Sequence, residues 1–528
     1  MFDSFIALRP DSPYYRLFEK MRSIVEADTR VVRCCDRLIR ASPLWVRDHI
    51  HEMKGAIYWE SELRSFLDLL LEHQTGDGFF YEILALPGDR MNTEHMKYVN
   101  DSCKFSAPEL GYGMLRIEVE ADIEYLIVEG VHRVWQAEGD TGWVARHLPR
   151  LEKALRYCIS HPKCWDETHR LMKRPRTIDT WDFLDRPDSG INRNIMPSDP
   201  MGIMHGDNSG LYAAMRQLAC LYEVCGHADQ ARRWLKEADG LRERANKLLW
   251  NGRFYIHQYP LDSTSYGMPE EEMLSLSNTY DINRGLPTHS MAVSIIDTYR
   301  ELREQTGSFA EWFSIHPCYP RFERYEAGSY INGGIASFVA GELAHAAFQH
   351  GREAYGADIL RRIAQKVTED KALYFLYDKD GRNQGGGPSG WGAAALIYAL
   401  TGGLAGVRDE GCCFERVTIA PRWAATGEPW AQVCLVYGAS RAAVEYTYAW
   451  DEAGGRLRLE SMPGPKEIMW RILLPEGRDL QSATVDGEAV TVELLKIEDS
   501  VYATIQITPS PDSKCLIDLR LTRRELFK

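Results

Sequence analysis

No stretch of the sequence approaches the about 18–20 consecutive apolar residues needed to cross a membrane, so no membrane partner is expected. Its first residues, MFDSFIALRPDSPYYR, lack the basic region and apolar run of a secretory leader, and a cytoplasmic protein is expected. Cysteine is sparse, 12 in 528 residues, and no CxxC pair occurs. Cys34-Cys35, Cys412-Cys413 and singles such as Cys158 and Cys220 read as reduced thiols, not as a disulfide framework or a zinc site. Positive charge is short: 62 Lys and Arg stand against 76 Asp and Glu, a net −14. That balance argues against nucleic acid and anionic membranes as partners. His49-x-His51-Glu52 is not the HxxxH pair of a helical metal site, and no metal is expected. Gly385-Gly386-Gly387 lacks the Lys-Ser/Thr of a phosphate-binding loop and follows no strand pattern, so no nucleotide cofactor is expected either.

What is present is ordinary globular material, 26% charged and 45% hydrophobic. The length suffices for several domain equivalents and a large core. Up to residue 405 the pattern is helix after helix, about ten to twelve in all. Helices are expected over 14–27, 60–72, 118–138, 143–160, 208–224, 228–250, 288–304, 333–350, 355–369 and 392–400. In 228–250 the residues Ala231, Trp234, Leu235, Ala238, Leu241, Ala245 and Leu248 form one apolar stripe at helical spacing. From Gly411 the period changes to two. Val433, Leu435 and Tyr437 alternate with other residues, as do Val444, Tyr446 and Tyr448, and Asp486-Gly487 is a hairpin turn between two alternating runs. The expected architecture is mainly α: a catalytic domain over 1–405, built as a closed toroid of helical hairpins, and an antiparallel β-sandwich over 411–528.

The loops between helices are long and carry acids beside aromatics, and loops of that kind are commonly functional. They hold Trp45, Arg47 and Asp48; Asp101; Asp179, Trp181, Asp182 and Asp185; Asp207; Glu326, Tyr330 and Asn332; and Trp391. Sugar rings stack their C–H faces on aromatic rings, and their hydroxyls need Asp, Asn and Arg as partners. Cleaving a glycosidic bond needs two carboxyl groups, one as acid and one as base or nucleophile.

In these pieces the chain resembles the six-hairpin glycosidases, the (α/α)6-barrel superfamily that includes trehalases, mannosylglycerate hydrolase and α-L-rhamnosidases. Trp45-Val46-Arg47-Asp48 is similar to the W-x-R-D segment that binds the terminal sugar. Trp181-Asp182-Phe183 resembles the loop whose Asp is the general acid. Asp207-Asn208, Tyr330-Ile331-Asn332-Gly333-Gly334 and Trp391 with its following alanines resemble three inner-helix starts, in the family's order. The tail from Phe414 to Pro421 resembles the ends of rhamnosidase-like chains.

The resemblance implies an exo-acting, inverting glycoside hydrolase of short substrates that needs no cofactor, with Asp182 as acid. Arg47, Asp48, Asp101 and Trp181 would hold the terminal sugar, helped by Trp45, Asp185, Asp207, Tyr330, Asn332 and Trp391. One departure stands out: where relatives place a basic Glu ahead of the last inner helix, this chain has Tyr374. Glu326 and then Glu342 are the substitutes expected. Local alternatives stay open. Asp179 or Asp185 could be the acid, Asp48 could pair with Arg47 within its loop, and Asp207 could cap a helix. So do other functions on the same fold: an unsaturated glucuronyl hydrolase, a glycoside phosphorylase, or a carbohydrate-binding relative without a base. A homo-oligomer is compatible with the sequence.

Overall fold

The computed structural model describes residues 3–34, 37–85, 113–186, 194–509 and 513–524. Among them stand twelve α-helices: α1 Leu17–Asp28, α2 Val46–Ala56, α3 Ser65–Glu72, α4 Ile123–Glu138, α5 Thr141–Cys158, α6 His205–Val224, α7 Ala228–Leu249, α8 Ser277–Arg284, α9 His289–Thr306, α10 Ser337–Gln349, α11 Glu353–Asp370 and α12 Gly390–Tyr398. The even-numbered helices form a closed inner ring. Each packs on the next, and α12 packs back on α2. The odd-numbered helices surround them, so the chain runs in and out around the ring. No described helix is long and apolar enough to cross a membrane.

The side chains explain which helix goes where. Outer helix α7 buries one stripe, including Trp234, Ala238, Leu241 and Ala245, and leaves its charged face in water. Inner helix α10 buries every residue from Ser337 to Phe348. Close approach of inner helices relies on small residues. A Cβ at Gly341 of α10 would lie 2.4 Å from the backbone of Ala395 in α12.

Two inner helices differ from expectation. The segment after Trp45, read as a loop, is the start of α2. Helix α8 showed no apolar stripe because its buried residues include Ser277, Asn278, Thr279 and Asp281, which hydrogen bonding keeps inside.

Beyond the helices two sheets face each other. The seven-stranded sheet runs in the order Phe5–Ala7, Trp430–Val436, Ala443–Asp451, Arg456–Ser461, Cys515–Arg523, Arg478–Val485, Glu488–Ala489. The five-stranded sheet runs Val407–Asp409, Arg416–Ile419, Glu467–Leu473, Ser500–Ile507, Glu493–Ile497. The turn at Asp486 (φ 53°) and Gly487 (φ 88°) forms as expected, but the chain then leaves for the other sheet.

Three features depart from the expected scheme. The N-terminal strand Phe5–Ala7 is an edge of the larger sheet, so the first residues belong with the sandwich and not with the helices. Arg416–Ile419 pairs in parallel with Glu467–Leu473, so the sandwich is not wholly antiparallel. Short ladders, such as Arg174–Pro175 with Met201–Met204 and Gln258–Pro260, stiffen the loops of the ring. The molecule is therefore a helical toroid with a substantial β component.

The sandwich seats against the C-terminal end of the ring. Tyr437 stacks on Phe414 at 4.0 Å and faces Tyr58, just beyond α2, at 6.0 Å. The Tyr446 hydroxyl donates to Ala405 O at 2.7 Å.

Candidate active site

The inner helices bring their N-terminal turns to one end of the ring, opposite the sandwich. Arg47 of α2 grips Asp122 at the head of α4, with Nε to Oδ2 at 2.6 Å and Nη2 to Oδ1 at 2.9 Å. The same guanidinium lies 3.2 Å from Glu120 and donates to Thr180 O at 3.2 Å. His205 of α6 bonds Asp281 of α8 at 2.5 Å. Trp391 of α12 donates to the Tyr280 hydroxyl of α8 at 2.9 Å and stacks on His51 of α2 at 4.5 Å. Six converging helix N-termini favour negative charge, and first turns here hold Asp48, Glu124 and Asp207.

The loop between α5 and α6 enters this mouth and carries Asp179 to Asp182. Asp179 holds a left-handed backbone (φ 49°) and is locked in place. Its carboxylate accepts from Ser277 Oγ at 2.5 Å, from Ser277 N at 3.1 Å and from Thr180 N at 2.6 Å. Burial would raise its pKa, but the His205 charge and the neighbouring serine hydroxyls outweigh that and lower it. With its acceptors occupied and its charge favoured, Asp179 is a poor general acid and a good anchor. Three residues on, Asp182 is 7% exposed. Its charge reaches Arg47, Arg324, Tyr325 and Tyr330.

Aromatic rings wall the mouth. Trp181 meets Tyr330 edge-on at 6.1 Å and Phe375 at 5.8 Å. Tyr330 stacks on Tyr325 at 5.2 Å, and Phe338 stacks on Trp391 at 4.9 Å. The Trp181 indole N–H is buried and has no hydrogen-bond partner among the described residues, so a donor is free here. At the floor, a small pocket is lined by Arg47, Thr180, Trp181, Tyr280, Arg284 and Trp391.

Among the carboxyls that burial pushes up, two stand in first turns of inner helices. Burial pushes Asp48 up to about 6, with Arg47 opposing and Asp28 adding to the rise. Burial likewise pushes Asp207 up to about 6. Asp207 is the third residue of α6, not its N-cap, and its Oδ2 has no hydrogen-bond partner among the described residues.

The remaining expected residues distribute unevenly. Trp45 is half-buried and packs against the small cluster of Ile83, Leu115 and Leu184, a structural position. Asp101 lies outside the described residues. Asp185 is exposed and accepts from Glu323 N at 2.8 Å, which pins a loop and keeps it out of the mouth. Asn332 is fully buried, and its amide brackets Tyr319 O, Tyr319 N and Tyr325 O at 3.0–3.1 Å, leaving nothing for a sugar.

Neither expected base stands in the mouth. Glu326 alternates with Tyr325 on a two-residue strand, so when the tyrosine faces the wall the glutamate faces water. Its side chain is 71% exposed, 3.8 Å from Arg321. Glu342 is fully buried further down α10, ion-paired with Lys54 and bonded by Asn283 at 2.7 Å. Residues that the sequence reading did not single out are Asp122, Arg174, Tyr280, Arg284, Tyr325 and Phe375. Tyr280 and Arg284 lie on α8, the helix without a stripe, so no signal pointed to them.

The sequence matches no family model and no curated protein. Solved structures do share its fold. The GH78 family rhamnosidase of Bacillus sp. GL1 aligns with TM-score 0.57 and 17% identity, over 90% of this chain and 43% of that one. The α-L-rhamnosidase of Streptomyces avermitilis, solved with L-rhamnose, aligns with TM-score 0.56 and 13% identity, over 98% of this chain and 42% of that one. The GH63 mannosylglycerate hydrolase of Thermus thermophilus aligns with TM-score 0.50 and 15% identity, over 73% of this chain and 100% of that one. The chain thus spans less than half the length of these two rhamnosidases. It has the fold of the six-hairpin glycosidases.

Proposed function

We propose that the chain is a glycoside hydrolase that removes a terminal sugar from a short glycoside, with inversion, using Asp182 as general acid and Asp48 as general base. One observation carries the reading. The charges of Asp182 and Asp48 both reach the Tyr330 hydroxyl, in a mouth walled by Trp181, Tyr330 and Trp391. A carboxyl pushed up to about 6 is well matched to base catalysis near neutral pH. Inversion needs the two carboxyls about 6.5–9.5 Å apart with a water between them. Arg47 is tied to Asp122 and Glu120 and donates to Thr180 O, so its role is to hold the acid loop in place.

Substrates to try first are α-L-rhamnosides and α-D-mannosides, the sugars named for the structures that share the fold. The test is proton NMR of the first anomer released, with Asp48→Asn and Asp182→Asn alongside. Release of the inverted anomer, slowed about 100-fold or more in each variant, is expected. A retained anomer would overturn the assignment of Asp48 as base.

A second reading is a carbohydrate-binding protein without turnover. It is favoured by the loop before α12, where Tyr374 and Gly385-Gly386-Gly387 stand in place of an acid. Saturable sugar binding that does not change between wild type and Asp48→Asn, with no product formed, would select it.

A further inference from the structure

At the opposite end of the ring, under the sandwich, lies a cavity of about 650 Å³. It is bounded by the C-terminal halves of the inner helices and by Val407, Arg408, Asp409, Tyr437 and Arg471 from the sandwich side. The mouth and this cavity share only a floor: His51, Tyr280 and Arg284 line both. Its size falls in the range of small-molecule sites, about 300–1,000 Å³.

The charge inside is out of keeping with an acidic protein. Lys54, Arg133, Arg216, Arg284, Arg408 and Arg471 line it, against Glu129, Glu342 and Asp409. Three of the cations are matched: Lys54 by Glu342, Arg133 by Glu129, and Arg408 by Glu410. Asp409 is occupied by the backbone N–H groups of Gly411 and Phe414, each at 2.9 Å. Arg216, Arg284 and Arg471, also in its lining, form no ion pair among the described residues.

Arg284 is the most telling of these. Its guanidinium lies over the rings of Tyr125 and Tyr280, at 5.5 and 5.4 Å. Its hydrogen bonds, to Gly206 O and Ser209 Oγ at 3.0 and 3.1 Å, use only Nη1. Glu129 and Asp281 favour its charge without forming an ion pair with it, so the outer edge of the guanidinium stays open, and that planar donor edge suits phosphate oxygens. Tyr58, Tyr398 and Tyr437 add flat apolar surface beside the cations.

We propose that this axial cavity is a binding site for a small phosphate-bearing molecule of sugar size, with Arg216, Arg284 and Arg471 receiving the phosphate and the tyrosines the organic part. Phosphate bound there is separated from Asp182 by the floor residues, so it is a ligand and not a nucleophile. The proposal does not depend on any activity at the mouth.

Titration calorimetry of the full chain tests it at neutral pH, with inorganic phosphate, glucose 6-phosphate and citrate as probes. Saturable one-site binding of phosphate or of the ester is expected, with citrate at least 10-fold weaker. Binding of the ester tighter than inorganic phosphate assigns an organic ligand, and the reverse assigns the free ion. Arg216→Ser and Arg471→Ser lie on accessible side chains and leave the core intact, which circular dichroism verifies; each should weaken binding at least 10-fold. Asp182→Asn, at the mouth, should leave it unchanged. No saturable binding of either phosphate probe, citrate bound as tightly as phosphate, or full binding in the arginine variants would overturn the proposal.

Discussion

Asp207 sits fully buried, with one oxygen unpartnered and Arg174 3.6 Å away. Burial pushes its pKa up to about 6, from the 3.8 of an ordinary aspartate. A raised acid favours folding while protonated, so this contribution is complete below pH 4 and is lost as pH rises through about 6. Two pKa units correspond to about 3 kcal/mol. Asp207→Asn removes the titration. The stability of wild type relative to the variant should therefore fall by about that amount between pH 4 and pH 7, read from urea midpoints. A difference that does not change with pH would show that Asp207 ionises freely. Asp48 makes the corresponding kinetic prediction. If it is the base, kcat/KM loses activity on the acid side with an apparent pKa of about 6. A profile flat from pH 5 to 8 would exclude it.

At the scale of elements, the inner ring depends on close helix contacts. Gly341 faces the Ala395 carbonyl carbon so closely that a methyl group would stand 2.4 Å away. The obstacle is backbone, which cannot swing aside, so Gly341→Ala should cost about 1–3 kcal/mol in urea unfolding. Cost below about 0.5 kcal/mol would show that α10 and α12 slide past each other easily. The same ring explains what could be read from sequence. Outer helices such as α7 touch the core on one side, so their stripe announced them. Inner helices α2 and α8 are surrounded on all sides and bury polar residues, many of them held by hydrogen bonds such as Arg47–Asp122 and Ser277–Asp179, that no periodicity reports. That Trp181 and Asp182 share one loop at the mouth was legible because the two are adjacent in sequence. The places of Glu326 and Glu342 were not, because strand alternation at Tyr325-Glu326 and the depth of Glu342 along α10 are decided by packing between distant segments.

At the scale of the whole molecule, ring and sandwich form one continuous core that runs from α2 through Trp423 to Trp470. The N-terminus fastens them. Ser4 Oγ donates to Tyr58 O at 2.8 Å, beside the ring, and accepts from Val436 N, in the sheet, at 2.8 Å. Ser4→Ala leaves a buried N–H unpartnered and should cost about 1–3 kcal/mol, seen as a lower Tm in calorimetry. An unchanged Tm would show that this joint carries no load. Neither the N-terminal strand nor this joint was legible in the sequence, because the partners are more than four hundred residues apart.

The most direct test of the central claim is release of p-nitrophenol from α- and β-linked p-nitrophenyl sugars, α-L-rhamnoside and α-D-mannoside first, by wild type and Asp182→Asn side by side. The geometry of the mouth predicts turnover of at least one sugar by wild type and a rate lower by about 100-fold or more in the variant. Turnover that survives intact in Asp182→Asn would contradict the assignment of the acid and, with it, the account of the mouth.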